Sequence, residues 1–207
     1  MSNLLFYVKT PAASWPTEST TFDPVNKGDR TTISDGNLVA VCGNGAPPNA
    51  SAARSLGAIQ ENTKTIWEIT LTAQPAAFCS MGFGTADHDL DGPAALGQDV
   101  YSIGVNNDGG GTILYDSGGV PGGHFGTGYV VGDIITWELE RAGISTTFTC
   151  YVNGVSIGTR TLDMPSATGL MYAMVCQTVF LFASTFTANF SGPFQIEPTA
   201  GFSPIPV

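Results

Sequence analysis

The chain has 207 residues, of which 12% are charged, and its 17 acidic and 7 basic residues give a net charge of -10. This length suits one all-β domain with a core, and the scarcity of positive charge opposes a nucleic-acid or anionic-membrane partner. No apolar run approaches the roughly 20 residues that span a bilayer, and the first residues lack the basic and long apolar regions of a secretory signal, so we expect neither membrane insertion nor secretion.

The predicted elements are almost all strands, because period-two alternation and turn residues recur while no long segment has the 3.6-residue period of a helix. Residues 1–21 contain Pro11, Pro16 and a Ser/Thr cluster, which predicts an arm ahead of a domain formed by residues 22–207. In chain order, the predicted strands are 37–41, 64–71, 77–84, 100–105, 112–115, 133–140, 145–152, 155–162, 170–176 and 179–190. So many short strands with Gly-rich turns predict an all-β fold, a two-sheet antiparallel β-sandwich or jelly roll.

Two predicted strands each carry a tryptophan at an inward position. In TIWEITL and ITWELE, alternation directs Trp67 and Trp137 inward and Glu68, Glu138 and Glu140 outward. Each Trp buries on the order of 200 Å² and would anchor the core. The outward carboxylates are expected to form a solvated, slightly acidic sheet face.

A hairpin is predicted in TFTCYVNGVSIGTR, residues 147–160, around a two-residue type I′ turn at Asn153-Gly154. The predicted pairs are Val152 with Val155, Tyr151 with Ser156, Cys150 with Ile157 and Phe148 with Thr159. This register places five apolar residues on the core face: Phe148, Cys150, Val152, Val155 and Ile157.

The same hairpin contains a G-x-S-x-G pattern, Gly154-Val155-Ser156-Ile157-Gly158. This pattern carries the nucleophile of many hydrolases, but there the serine sits on a turn between a strand and a helix. Here Ser156 falls within a strand. We therefore interpret it as a structural residue and expect no catalytic residue and no cofactor.

The thiols and imidazoles are too dispersed for a metal site. Cys42, Cys79, Cys150 and Cys176 form no C-x-x-C pair and no His pair accompanies them, which disfavours zinc. Free cysteines are usually buried, so four reduced, buried thiols are predicted. His88 and His124 lie in Gly/Asp-rich loops and are expected to be exposed.

An acidic loop offers a minor calcium candidate. Asp87, Asp89 and Asp91 alternate ahead of Gly92 in a D-x-D-x-D-G pattern, the first half of an EF-hand loop. The twelfth position is Gln98, so the bidentate carboxylate of such loops is missing. No metal is therefore assigned.

Several runs follow the order that they have in SPRY domains. They are FDPVNKGDRTTISDGNLVAV, TIWEITL, LGQDVYSIGVNNDGG, VVGDIITWELE, YVNGVSIGT and ANFSGPFQIEPTAGF. The chain resembles a SPRY domain over residues 22–202. Gly132-Asp133-Ile134-Ile135 looks like the family's GDvIG strand start, although Ile135 replaces the second glycine. Residues 151–155 look like its FYKNG hairpin, with a longer connection, 141–146, before it.

The resemblance implies a concanavalin-like sandwich that serves as a non-catalytic platform, with loops that grip a protein partner. The opening DPVNKGDRTTISDGNLVAV resembles SPRY modules of bacteriophage and bacterial proteins. A charged fraction about half the usual 25% favours a surface packed against other subunits, and so an oligomer.

These inferences lead to a non-enzymatic structural or adhesion module of a bacteriophage virion, such as a capsid-decorating, head-fibre or tail protein, made in the host cytoplasm. The arm would bind neighbouring subunits by adding a strand to an exposed edge, and loops 85–99, 106–111 and 117–128 would form an outer surface. The proposed arm contacts are Leu4, Leu5, Phe6, Tyr7 and Val8.

Two alternatives from other classes remain. The first is a lectin-like carbohydrate-binding domain, whose site would be lined by Asp87, Asp89, Asp91, Tyr101 and Tyr115. The second is a glycosidase that uses Glu138 and Glu140, because some sandwich glycosidases place carboxylates at alternate positions of one strand. Those enzymes use three acidic residues in such a run, and the next alternate position here is Ala142.

Overall fold

The computed structural model describes residues 20–43, 50–74, 79–92, 94–107, 112–116, 120–124, 126, 128–164, 169–177 and 183–207, and of residues 107, 112–116 and 120–124 it describes the backbone. The predicted arm contacts, residues 4–8, lie outside this part of the chain. So do loop residues 108–111 and 117–119, and residues 179–182 of a predicted strand.

The described residues form 15 strands and no helix, and therefore no helix that could cross a membrane. In chain order the strands are β1 (Phe22–Lys27), β2 (Thr31–Ser34), β3 (Val39–Cys42), β4 (Ser51–Ser55), β5 (Lys64–Ala73), β6 (Cys79–Thr85), β7 (Ser102–Asn107), β8 (Thr112–Asp116), β9 (Val120–His124), β10 (Ile134–Ala142), β11 (Ser145–Val152), β12 (Val155–Asp163), β13 (Met171–Gln177), β14 (Ser184–Asn189) and β15 (Ser203–Pro204).

The strands build two sheets. The seven-stranded sheet has the order β1-β4-β13-β6-β7-β8-β9, and the eight-stranded sheet has the order β12-β11-β10-β5-β14-β3-β2, with β15 added to β5. The described pairings are antiparallel, apart from the parallel pairing of β15 with β5. The predicted two-sheet antiparallel sandwich is confirmed.

The core joins the sheets through aromatic contacts. Trp67 and Trp137 face each other across the β5–β10 ladder and stack with ring centroids 6.1 Å apart. Phe83, from β6 of the other sheet, meets both edge-on, at 6.4 and 5.7 Å. All three side chains are fully buried, as expected for the two tryptophans.

The predicted hairpin forms, but its register changes partway. Asn153 and Gly154 both have positive φ, 50° and 77°, as a type I′ turn requires, and Val152 pairs with Val155. Beyond the next pair, Cys150 lies opposite Gly158 and Phe148 lies opposite Arg160. The prediction for those pairs is wrong by one residue, because a β-bulge inserts Ile157 into β12.

The bulge separates the two residues of β12 that were predicted to lie on the core face. Ile157 is partly buried and packs against the core. Val155 is 69% exposed, so its prediction as a core residue is wrong. It directly follows the turn and lies opposite Val152, which is 9% exposed and belongs to the core.

The outer face of the seven-stranded sheet is covered by the β6–β7 connection. The backbone N–H groups of Ala50 and Ala52 donate to Gly92 and Leu90, at 2.8 and 3.0 Å. A Cβ on Gly104 would lie 2.6 Å from the Cβ of Leu96, so the connection packs directly on the strands. A second apolar cluster fills this layer: Ala50, Ala52, Leu96, Tyr172, Met174 and Cys176.

Two expectations about loops are therefore corrected. Residues 85–99 were expected to present an outer surface, but Thr85, Ala95 and Leu96 among them are buried, as is His88, which was expected to be exposed. Part of the loop predicted at 117–128 is instead the edge strand β9. The Pro and Gly residues of β9 hid its strand character, since both residue types are depleted in strands.

The domain begins before the predicted boundary. Thr20 is fully buried, and its hydroxyl accepts a hydrogen bond from the backbone N–H of Gly57. The carbonyl of Thr21 accepts one from Leu56. These last two residues of the predicted arm are thus held by the sandwich.

The four cysteines should be unreactive in the folded protein. All are free and buried, and burial raises the pKa of Cys42 and Cys79 to about 12 and also raises that of Cys150 and Cys176. The reactive form is the thiolate. We expect a colorimetric thiol reagent at pH 8 to modify none of them in the native protein and all four in denaturant; rapid reaction without denaturant would contradict this burial.

Candidate functional site

A strap, defined as residues 190–202, crosses the outer face of the eight-stranded sheet. It leaves the sheet after β14, and the chain rejoins it as β15, where Ser203 pairs with Thr65. Lys64 lies 5.7 Å from the ring centroid of Phe202, a cation–π distance. This course places the strap directly over the outward side chains of β5 and β10.

Glu138 is buried beneath the strap and is 3% exposed. Its carboxylate accepts hydrogen bonds from the Thr199 backbone N–H at 2.6 Å, the Thr199 hydroxyl at 2.9 Å and the Tyr151 hydroxyl at 2.9 Å. Burial, together with the hydrogen bond and charge of Glu138, raises the pKa of Tyr151 to about 12. Tyr151 therefore acts as a neutral donor.

Glu68 holds the other half of the strap and is 4% exposed. It accepts hydrogen bonds from the Thr136 hydroxyl, the Asn189 amide and the backbone N–H of Gln195. The expectation of a solvated acidic face is thus wrong for Glu138, which is buried, whereas Glu140 is half-exposed. The outward direction of Glu68 and Glu138 was predicted correctly, but a segment distant in sequence covers them and supplies donors in place of water.

The glycosidase alternative finds no support in this arrangement. Glu140 is half-exposed and its carboxylate lies 2.9 Å from the Lys64 ammonium. Thr199 lies on the Glu138 carboxylate, where a sugar would have to bind. The contacts of Glu138 are those of a structural carboxylate that fastens the strap. Ser156, the serine of the hydrolase-like pattern, is exposed on β12 opposite Tyr151.

The three aspartates of the calcium candidate serve separate purposes. Both carboxylate oxygens of Asp91 accept the Asp29 backbone N–H, at 2.8 and 2.9 Å. Asp89 accepts the N–H of Asp91, and Asp87 is exposed. In the part of the chain that the structure describes, no three His, Cys, Asp or Glu side chains group as metal ligands would.

The two tyrosines of the carbohydrate-binding alternative lie on adjacent segments. Tyr101 precedes β7 and is half-buried. Tyr115 pairs with Gly104 of β7 through the β7–β8 ladder. None of the described contacts joins the ring of Tyr101 to Asp87, Asp89 or Asp91. A binding site shared by these residues therefore stays a prediction.

A polar cluster that the sequence did not reveal closes the β6–β7 connection. Nδ1 of His88 lies 2.7 Å from Oδ2 of Asp99. Oδ1 of Asp99 accepts from the Ser102 hydroxyl at 2.6 Å and from the Tyr101 backbone N–H at 3.1 Å. The Ser102 oxygen in turn accepts the Gly97 N–H at 2.8 Å. The bonds of Asp99 to Tyr101 and Ser102 are local, of the kind found in Asx turns, whereas only the chain fold brings His88 to Asp99.

The hydrogen bonds of this cluster stabilise the ionised form of Asp99. Burial raises the pKa of Asp99, but the hydrogen bonds and charge of His88, with the donors Ser102 and Tyr101, outweigh burial and hold that pKa below its usual range. The carboxylate therefore fastens the cover of one sheet, as Glu68 and Glu138 fasten the strap over the other.

An exposed apolar surface lies at one end of the sandwich. We name it the apolar tip and define it as Val130, Val131 and Val155, which are 64%, 48% and 69% exposed. Asn153 connects their two turns: its amide donates to Asp133 Oδ1 at 2.6 Å, and Asp133 Oδ2 accepts the Val130 N–H at 2.7 Å. The tip is therefore built on a hydrogen-bonded frame.

Further strand ends lie on the same side of the sandwich. The N–H of Gly132 donates to Leu71 near the end of β5. The pairing of Cys42 with Ser184 and of Gln177 with Cys79 brings more strand ends to this side. The connections between these strands read GNGAPPNA (43–50), QPAAF (74–78) and TVFLFA (178–183), and they carry no charged residue.

Removing Glu138 should release the strap, whereas removing Glu140 should not. Glu138→Ala leaves the Thr199 N–H and the Tyr151 hydroxyl without their acceptor, so we expect urea unfolding to show a loss of about 2 to 3 kcal/mol. Glu140→Ala breaks an exposed ion pair and should cost less than about 1 kcal/mol. Hydrogen exchange of the Thr199 amide should accelerate in the first variant alone; equal effects would contradict the role of Glu138.

Asp99→Ala should destabilise the fold in a pH-dependent way, with exposed Asp87→Ala as its control. We expect a loss of about 2 kcal/mol at pH 7, because three donors lose their acceptor. Since the pKa of Asp99 is lower in the folded state, its contribution is present above the unfolded value near 4 and is lost as pH falls through the folded value. The difference from the wild type should therefore shrink below about pH 4; a difference that is constant with pH would contradict this role.

Comparison with known proteins identifies the fold. No protein-family model matches the chain, and no curated protein is significantly similar to it. Among solved structures, the SPRY domain of human HERC1 is 15% identical with a TM-score of 0.63 and covers 81% of this chain and 96% of its own. A human SPRY domain (12%, TM-score 0.62, 78% and 95%) and the TRIM65 PSpry domain (14%, TM-score 0.59, 83% and 92%) are also similar. The chain therefore has a SPRY-like fold.

Proposed function

We propose that this chain is a non-enzymatic binding module that holds a protein partner at the apolar tip, and that it serves as a structural or adhesion component of a bacteriophage virion. The observation that carries the binding role is the exposure of Val130, Val131 and Val155 at one end. The two turns that carry these valines are joined by hydrogen bonds of Asn153 and Asp133, and an exposed apolar surface larger than about a few hundred Å² marks an interaction site.

The tip has the properties of an interface centre. Charged residues are depleted at the centres of protein interfaces, and the stretches of sequence between the strand ends on this side, 43–50, 74–78 and 178–183, contain none. The frame of Asn153 and Asp133 holds the valines in place before a partner arrives, so little conformational entropy is lost on binding. A partner that presents an apolar, uncharged surface fits this end.

A role in a virion rests on two further features. The opening DPVNKGDRTTISDGNLVAV resembles that of phage and bacterial SPRY modules, and the charged fraction is 12%, which suits a subunit among other subunits. Capsid decoration, a head fibre and a tail position are all compatible with this proposal. The carbohydrate-binding alternative stays a prediction that a glycan array would test.

Incorporation into particles tests both parts of the proposal. Phage particles produced with a tagged chain are purified on a density gradient and probed by immunoblot, and wild-type chain should band with the particles. Val131→Asp and Val155→Asp place a charge in the tip and should reduce incorporation at least tenfold. Val25→Asp is the matched control, because Val25 is 82% exposed on β1 and lies outside the tip.

Each outcome has a distinct meaning, provided that circular dichroism shows all variants to be folded. Absence of the wild-type chain from purified particles would overturn the virion role. Presence of the wild type together with full incorporation of both tip variants would overturn the assignment of the tip. Loss with Val25→Asp as well would mean that exposed charge in general, rather than the tip, controls incorporation.

A further inference from the structure

Four strands form the edges of the described sheets, and they differ in their capacity to accept another strand. β2 has four residues. β1 contains Pro24, and its ladder with β4 is irregular; β9 contains Pro121. Proline lacks the N–H that a ladder needs. These three edges are poor templates.

The edge strand β12 has the opposite character. It has nine residues, Val155–Asp163, contains no proline, and most of its residues are exposed, although Gly126 packs against Ile157 at the bulge. Beyond the bulge it pairs with β11 without interruption from Gly158 to Asp163. Every second residue of such an edge directs its N–H and C=O away from the sheet, and a long exposed edge is a template for pairing with another chain.

The outer face of β12 presents an ordered polar surface to an added strand. The hydroxyls of Thr159 and Thr161 lie 2.8 Å from those of Thr149 and Thr147 on β11. These paired hydroxyls hold the side chains of β12 in one arrangement. On the inner side, Leu162 is partly buried and packs against the core, so an apolar residue beside it would extend the core.

We infer that residues 4–8 of a second copy of this chain add as a strand to β12. This inference deepens the proposed function, on which it rests, by naming one of the protein partners. The segment reads LLFYV, five apolar or aromatic residues of which several favour strands. Alternation would place Leu4, Phe6 and Val8 on one face, and Leu5 and Tyr7 on the other.

The position of Thr20 sets how the arm can reach β12. The Thr20 hydroxyl accepts a hydrogen bond from Gly57, and two residues further on the carbonyl of Ile59 accepts one from the Arg141 side chain. Arg141 pairs with Thr146 of β11, which in turn pairs with Leu162 near the end of β12. Thr20 thus lies at the end of the sandwich where β12 ends. Residues 9–19 span up to about 36 Å when extended, which is enough to reach a neighbouring molecule.

The geometry favours a second copy over the same chain. The direct path from Thr20 within one chain brings residue 8 to the end of β12 first, so the segment would run parallel to β12. Antiparallel pairing is more stable per residue. A neighbouring copy can supply the antiparallel direction without the linker reversing its course.

Self-association of the purified full-length chain is the first test. Leu5→Pro combined with Phe6→Pro removes two successive N–H groups, one of which faces β12 in either register, and should raise the dissociation constant of the dimer at least tenfold by analytical ultracentrifugation. Ala12→Pro combined with Ala13→Pro changes the arm outside the segment and should leave the constant within about twofold. A monomeric wild type, or unchanged association of the first variant, would overturn the inference.

Disulfide scanning then locates the edge. Thr161→Cys is combined in turn with Leu5→Cys, Phe6→Cys and Tyr7→Cys, and mild oxidation should give linked dimers with a period of two along the arm. The native thiols are buried and should not interfere. Thr161→Cys alone is the control for direct pairing of two β12 edges. Thr32→Cys, at an exposed position of β2, replaces Thr161→Cys in a second control, which shows whether the arm prefers β12 to another edge strand.

The outcomes separate this inference from the proposed function. Linkage within one chain would overturn the role of the second copy, and equal linkage to Thr32→Cys would overturn the choice of β12. Both measurements use purified protein without particles or a tip partner. Their failure would therefore leave the binding role of the apolar tip intact, and loss of tip binding would leave the arm result intact.

Discussion

The contact of Phe83 with the stacked pair of Trp67 and Trp137 is the interaction on which the rest of the sandwich depends. The two tryptophans lie opposite each other on β5 and β10, and the phenylalanine reaches them from the other sheet. Each large ring buries about 150 to 250 Å², worth several kcal/mol at about 25 cal/mol per Å². β5 and β10 are central strands, so their register fixes the register of the strands that pair beside them. These include the hairpin that carries Val155 of the apolar tip.

Once the core is formed, the outer face of each sheet must still be covered. The described part of the β6–β7 connection covers one sheet and the strap covers the other. The first cover is fastened by Asp99, whose side chain is 21% exposed, and the second by the buried carboxylates of Glu68 and Glu138. A carboxylate that loses contact with water is costly unless hydrogen-bond donors replace the water. The covering segments supply such donors, so each of the three carboxylates holds its cover in place. Because each sheet is covered by a segment of the same chain, less of its outer face needs charged residues. This covering accounts for part of the low charged fraction, which we attributed from the sequence to packing against other subunits.

The sequence predicted the parts of the fold whose signal is local. Strand β11 was predicted with its observed bounds, and β5 and β10 within two residues at each end, because large apolar residues alternate there. β4 was missed because SAARS has small side chains, and β1 because of Pro24. Gly158 was the available signal for the bulge, since an isolated glycine in a strand marks such sites.

The site depended on contacts between distant residues, which periodicity does not reveal. Alternation placed Glu138 on the outer face correctly, yet its partner Thr199 lies 61 residues further along the chain. The contact of His88 with Asp99 forms only when the β6–β7 connection folds back on itself. Val155 is exposed directly after the turn although Val152 opposite it is buried, and strand alternation carries no information about where burial along a strand ends.

The apolar tip and the edge of β12 differ in what they recognise, although they share one hairpin. Val155 opens β12 and belongs to the tip, which binds through side chains and therefore selects the shape and polarity of its partner. The edge binds through backbone groups that every residue carries, so its selectivity comes from the few side chains beside it. A selective end suits a distinct partner, and a tolerant edge suits an identical neighbour whose arm is always available at high local concentration within an assembly. Because the hairpin is paired to β10 along its length and so belongs to the eight-stranded sheet, a subunit linked to its neighbour through β12 would hold its tip in a fixed orientation.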